Sequence, residues 1–440
     1  MASNGLNALW ANPNGAATGS YPNPWGGPSP KTSAYGSQPS LNDLFPFLGN
    51  PLPSEGAERA GELTQLLQTL LGNAQGLPPL NNPSPTLPPT GRNRGSAVIV
   101  EVGYTGDGKA DKHAQSVMEV YQRYNPNGVA VLQGIDDSGK DGSASTQPQS
   151  AGTVPKLNSQ QAFNDYIDQG ATDAFNVFSR EIDQVVSEGK ATVINGSLGF
   201  SRNEVYIDTL HALQANPSLA EYVGLKPSDI QNLEVSKDGV TTVTQSVADA
   251  ISTYVDHRLD APNSAFQQAR ARYQASTRTA AQNGIAVVVA AGNEHALNEV
   301  FPRSTPGGDT NFLAQSPDVI SVAASDDQDT PPLRDDTIGE FSSRGDGTFN
   351  PTIATDGVGV ETRFGPQDGT SFAAPKAAAI IARMQQQNPN LSVAQIKAIL
   401  QQTAVDTQAD PLAEGAGILN PDAALYASAQ SPFPMASGYY

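Results

Sequence analysis

The residues best placed to do chemistry in this chain begin with a serine near the C-terminus, in Asp368-Gly369-Thr370-Ser371-Phe372-Ala373-Ala374-Pro375. Ser371 stands between a glycine-containing turn and an alanine-rich run, 376–384, that reads as a buried helix. At a helix start the hydroxyl is exposed, and free backbone N–H groups and the positive dipole end lie beside it. Such donors stabilise an anion formed when the hydroxyl attacks a carbonyl. Small residues at 373 and 374 let another surface approach closely. Pro375 is expected in the first turn, where a missing N–H removes no helical bond. The plain alternative is a serine N-cap on a core helix. A second block, Ala286-Val287-Val288-Val289-Ala290-Ala291-Gly292-Asn293, reads as a buried parallel strand ending in small residues and an amide. Ligands of open α/β sheets gather at strand C-terminal ends, which makes Asn293 a candidate oxyanion donor. A third, Val193-Ile194-Asn195-Gly196-Ser197-Leu198-Gly199, is an apolar strand running into a backbone-exposing end, or simply a strand followed by a glycine turn.

With Gly369-Thr370-Ser371 followed by Ala373, Ala374 and Pro375, with Ala290-Ala291-Gly292-Asn293, and with Ser197-Leu198-Gly199, the chain resembles the subtilisin-like serine peptidases, the subtilases. The resemblance spans roughly 95–428. Weaker echoes are Val129-Ala130-Val131-Leu132, Phe341-Ser342-Ser343-Arg344-Gly345 and the turn Gly415-Ala416-Gly417-Ile418-Leu419-Asn420-Pro421. It implies serine endopeptidase chemistry on a polypeptide substrate, with Ser371 as nucleophile. Asn293 and the Ser371 backbone N–H would take the oxyanion. Ser197, Leu198, Gly199, Ala291 and Gly292 would hold the substrate as an added strand.

The general base must come from four histidines, His113, His211, His257 and His295. His113 follows the strand Ala97-Val98-Ile99-Val100 and opens an amphipathic run, as the catalytic histidine of subtilases does. The family's His-Gly-Thr-His signature is replaced by His113-Ala114-Gln115-Ser116. His211 and His257 lie where nothing matches the family, and no apparent element aims His295 at Ser371. Subtilases end the first strand with an aspartate; here the same place reads Val100-Glu101-Val102-Gly103. Glu101 has the same charge and one more methylene, so it can accept the imidazole N–H from slightly further away. Asp107 and Asp111 are fallback acids, although Asp111, two residues before the histidine, better suits a solvated position or a cap on the helix. The segment between acid and histidine is short, as though a loop had been trimmed. The departures at Glu101 and His113 are the support for a rival reading, a catalytically dead subtilase fold used as a binding module. Against it, Ser371, Asn293 and a histidine in the right place all survive, which favours an active peptidase; a secreted interaction protein is compatible with either.

With 440 residues there is room for one large α/β domain and extra segments. A net charge of -19 without a basic stripe argues against nucleic acid. The absence of cysteine excludes disulfides, zinc-thiolate sites and cysteine catalysis. No run is apolar enough to span a membrane. No cofactor is implied; the resemblance leaves calcium open as an ion, and no metal site is identifiable. No conventional signal peptide is visible, and the uncharged first thirty residues suggest either export by a signal-peptide-independent, needle-type route or a cytoplasmic enzyme with a flexible tail.

Residues 1–93 are rich in Pro, Gly, Asn and Ser and are expected to be largely disordered. Within them Leu63, Leu66, Leu67, Leu70 and Leu71 recur at helical spacing over 54–72, a face that wants a partner: the catalytic domain, another copy or a foreign protein. The peptidase domain is expected over 94–430, followed by a tail at 431–440. A helical insertion is expected near 202–262, with helices at 205–213 and 243–259. Helices at 181–187, 264–282 and 393–403 alternate with strands at 191–194, 286–290 and 319–323. This alternation predicts an α/β fold: a doubly wound, mostly parallel sheet flanked by helices, with the nucleophile on a central helix.

Overall fold

A computed structural model describes residues 95–101, 110–134, 155–231, 233, 243–305, 307–328 and 333–431. The region 1–93 with its leucine-rich helix at 54–72, Asp107, and the tail beyond 431 lie outside the described residues.

The centre is a sheet of β1 (Ala97–Glu101), β2 (Ala130–Gly134), β3 (Val193–Gly196), β4 (Ala286–Ala290) and β5 (Val319–Asp326), in the order β2-β1-β3-β4-β5. β6 (Thr337–Ile338) and β7 (Ile353–Asp356) both pair with β5. Every pairing in this sheet is parallel except β5 with β6.

Helices cover both faces, so the strands are apolar on both sides and strand parity sorts the side chains. Val98 and Val100 join Ile194, Val287 and Val289 in one core. That core lies under α2 (Gln160–Glu188), α3 (Arg202–Ala215), α4 (Gln245–Leu259) and α5 (Ala265–Gln282). Ala97 and Ile99 join Val193, Val288 and Val322 in the other, under α1 (Lys112–Tyr124), α6 (Thr370–Gln387), α7 (Val393–Thr403) and α8 (Pro421–Gln430). Ala373, Ala374, Ala377, Ala378 and Ala379 of α6 are all fully buried. Side chains this small let α6 pass close across the strands, which seats its N-terminus at their C-terminal ends.

Caps fix where several helices begin. Ser264 accepts from Gln267 N at the start of α5, and Ser392 with Gln395 closes a capping box on α7. The expected helix at 181–187 is only the last part of α2, whose Phe163, Ile167, Ala171, Phe175 and Phe178 continue the same buried stripe upstream. The stretch 202–262 holds α3 and α4, which share one core with α2. Among the described residues no helix is long and apolar enough to cross a membrane, and no group of three or more His, Asp or Glu is arranged to hold a metal ion.

Candidate active site

Glu101 is the last residue of β1 and shares the parity of Ala97 and Ile99, which turns it toward the face covered by α1 and α6. It is fully buried. His113, the second residue of α1, places Nδ1 3.1 Å from Glu101 Oε2. Burial raises the Glu101 pKa, opposed by the His113 charge and hydrogen bond. For His113, burial alone would lower the pKa, but the charge of Glu101, its hydrogen bond and the charge of Asp111 outweigh it, and the net direction is upward. Asp111 accepts Ala114 N–H at 2.8 Å as the N-cap of α1. Its side chain is thereby committed to the helix, while its charge still acts on the Glu101–His113 pair. Asp107 is outside the described residues.

His113 Nε2 is buried and has no hydrogen-bond partner among the described residues. Its ring lies 5.5 Å, centroid to centroid, from that of Phe372, the residue after the serine. Ser371 is not the N-cap: Gly369 occupies that position and Ser371 is the second helical residue. Its N–H therefore belongs to the group of first-turn donors without an intrahelical acceptor. Ser371 Oγ donates to Ser197 O at 3.2 Å rather than to the imidazole.

Pro375 does not sit in the first turn as expected; it lies inside α6. A residue there would normally donate to the carbonyl four residues earlier, which is that of Ser371. Proline cannot, and Ser197 Oγ takes the vacated acceptor at 2.8 Å. Asn195, two residues back on β3 and so on the same face, donates Nδ2 to Ser197 Oγ at 2.9 Å. Ser197 thus holds the nucleophile's carbonyl with its side chain and its hydroxyl with its backbone.

Asn293 Oδ1 accepts from Thr370 N and from Thr370 Oγ1, both at 2.9 Å. This fixes the amide so that its oxygen faces α6 and its NH2 is free to donate, with Nδ2 on the side of Gly369. The turn before it requires glycine: Gly292 has φ +116°, and a Cβ there would meet Glu294 Oε2 at 2.4 Å and Ser343 Oγ at 2.7 Å. Glu294 Oε2 accepts from Asn293 N at 2.8 Å, and Ser343 Oγ accepts from Glu294 N at 3.0 Å. Glu204 of α3 is fully buried nearby, its pKa raised well above the usual range by burial first and by the Glu294 charge second.

Of the expected substrate edge, several carbonyls are already engaged. Asn311 Nδ2 donates to Leu198 O at 2.8 Å and to Ala290 O at 3.1 Å. Asn311 N donates to Ala291 O at 2.7 Å, and Ser343 N to Gly292 O at 3.0 Å. Gly199 cannot carry a side chain, because a Cβ would meet Asn311 Nδ2 at 1.9 Å. Sequence reading missed Asn195, Asn311, Ser343 and Thr370. Asn195 carried a signal in its parity with Ser197, and Thr370 and Ser343 stood inside blocks that carry the family resemblance without being given a role. The other histidines lie elsewhere: His211 on α3, lowered by burial, His257 on α4, and His295 with Nδ1 2.8 Å from Asp309 Oδ2.

A parallel sheet wound by helices, with a serine helix start, an amide at the end of β4 and a histidine–carboxylate pair from β1 and α1, defines the class, and sequence comparison agrees. The model of the subtilase family matches residues 153–418, more than half of the chain, and the chain belongs to that family. The matched span contains Ser197, Asn293 and Ser371 and lies wholly downstream of Glu101 and His113. The serine protease AprX of Bacillus subtilis (strain 168) is 35% identical over 163 residues, covering 31% of this chain and 34% of that protein. The chain thus spans about a third of that curated relative's length. Among solved structures, fervidolysin from Fervidobacterium pennivorans, a keratinolytic enzyme related to subtilisin, is 18% identical with a TM-score of 0.40, covering 79% of this chain and 44% of that one. The epidermin leader peptide processing serine protease from Staphylococcus aureus is 15% identical with a TM-score of 0.43, covering 79% and 77%.

Proposed function

We propose that the protein is a serine endopeptidase that works through an acyl-enzyme with Ser371, His113 and Glu101. The observation that carries this reading is the Nδ1–carboxylate bond between His113 and Glu101, with the unpartnered Nε2 beside the residue that follows Ser371. Ser371 Oγ leaves the Ser197 carbonyl, gives its proton to Nε2 and attacks the peptide carbonyl. Catalytic hydrogen bonds commonly tighten only once substrate is bound. Glu101 accepts from Nδ1–H and stabilises the imidazolium. Asn293 Nδ2 and the Ser371 N–H receive the oxyanion. His113 then hands the proton to the leaving amine, and water repeats the sequence to free the acid. Gly199, whose backbone groups make no hydrogen bond among the described residues, is the place on the edge where an extended substrate adds.

The test is labelling with a serine-directed phosphonate in wild type, Ser371→Ala and His113→Ala. Labelling of wild type that both substitutions abolish is the expected result. A well-folded wild type that takes no label points instead to a subtilase fold retained for binding.

A further inference from the structure

Between α2 and α3 lies a cavity of about 280 Å³. Asp165, Tyr166 and Asp173 of α2 and Asp208 of α3 line it, with Phe200 and Val205 giving apolar wall. No lysine or arginine is among the described residues that line it. Asp173 is buried, and its Oδ2 has no hydrogen-bond partner among the described residues. That atom is unsatisfied in either protonation state, because an ionised carboxylate needs a donor and a protonated one needs an acceptor for its O–H. Burial pushes Asp173 up to about 7, opposed by the Arg180 charge, and burial likewise pushes Asp208 up to about 7. A hydrogen-bonding cation in the cavity would give the buried Asp173 carboxyl the partner it lacks among the described residues. The volume sits at the small end of ligand sites, about 300 Å³ and upward, which suits one side chain better than a large ligand.

The position of the cavity indicates where that side chain comes from. Phe200, in its wall, directly follows Gly199 on the proposed substrate edge. Two residues, Leu198 and Gly199, separate it from Ser197, a reach of at most about 11 Å, and the Ser197 carbonyl holds Ser371 Oγ. We propose that the cavity receives an ammonium or guanidinium side chain of the polypeptide substrate, roughly three residues from the bond attacked, with Asp173 and Asp208 as its counter-charges. The proposal rests on the peptidase reading.

The experiment measures affinity on the full-length Ser371→Ala chain with fluorescent peptides in which one lysine, or its neutral counterpart norleucine, is moved position by position. Lysine is expected to bind at least about tenfold more tightly at one position, as a charge-assisted hydrogen bond is worth roughly 1.5–3 kcal/mol. In Asp173→Asn/Asp208→Asn the two peptides should come within about twofold. Loss of carboxyls whose ionisation burial opposes should not lower Tm. Should the double variant unfold, Asp208→Asn alone is expected to lose a measurable part of the preference. Equal affinity of the two peptides at every position overturns the proposal, and so does a preference that survives the substitutions. A rise in Tm with 1,5-diaminopentane but no peptide preference assigns the cavity to free amines and also overturns it. Failure of wild type to cleave any peptide would count against the peptidase reading alone, since the affinity comparison does not use the Ser371 hydroxyl.

Discussion

Glu101, fully buried at the end of β1, places Oε2 3.1 Å from His113 Nδ1. Its replacement by glutamine keeps the shape and removes the charge. Glu101→Gln is expected to lower kcat by orders of magnitude, since an amide can hold the wrong imidazole tautomer; the corresponding change in another serine protease costs about 10⁴-fold. The same substitution has a second signature. The Glu101 charge raises the His113 pKa, so the acid limb of kcat/KM in wild type should lie above the ordinary histidine value of 6.5 and move to lower pH in the variant. Near-wild-type activity of Glu101→Gln, together with a dead Asp111→Asn, would exclude the assignment. Asn293→Ala should cost roughly a hundred- to a thousandfold in kcat with a smaller change in KM, because an oxyanion donor acts mainly in the transition state. A KM effect alone would place Asn293 in ground-state binding.

At the scale of elements, the informative junction is α6 against β3. Pro375 withholds the N–H that would bond Ser371 O, and Ser197 Oγ supplies the missing donor. Ser197→Ala leaves that buried carbonyl unpaired and should destabilise the fold by about 1–3 kcal/mol. Pro375→Ala restores a helical donor to the same atom. In a Pro375→Ala background the cost of Ser197→Ala should therefore shrink, a coupling that a double-mutant cycle in urea measures directly. Additive effects would mean that the two residues do not share the carbonyl. The α2 helix teaches a related point. Its apolar stripe was present in the sequence, but Gly170 and the neighbouring Asn and Asp residues weaken local helix preference, and in the fold the stripe is buried in the core shared with α5 and α3.

The whole molecule buries several carboxyl groups that resist ionisation. Asp173 and Asp208 rise to about 7 and Asp336 and Asp356 to about 6, in each case with burial as the largest cause. A carboxyl with a raised folded pKa contributes stability that is full below its unfolded value, near pH 4, and is lost as pH climbs through the folded value. The raised His113 acts with the same sign. A net charge of -19 adds self-repulsion that weakens on acidification. Tm of the Ser371→Ala chain, which removes self-digestion as a complication, should accordingly be higher at pH 5 than at pH 8. The reverse order would show that these groups ionise freely in the folded protein.

Composition and local pattern determined much about this chain by themselves. The alternation of valine-rich strands with capped helices is a local property, and it specifies a parallel α/β sheet because both strand faces must be covered. The serine block, the amide after β4 and the histidine at the start of α1 were legible for the same reason: each is a short run whose residue types are set by one turn of backbone. Which carboxylate serves His113 was not settled that way, since Glu101, Asp107 and Asp111 all lie within twelve residues of it. Tertiary structure separated the two that are described, by turning Glu101 inward through strand parity and committing Asp111 to the α1 cap. The supports of the site, Asn195, Asn311, Ser343 and Thr370, are ordinary polar residues until strands and loops far apart in the chain converge. Their hydrogen bonds reach across up to 113 residues, as from Asn311 Nδ2 to Leu198 O, and the Ser197–Ser371 bond that Asn195 supports spans 174; tertiary packing alone brings those partners within reach.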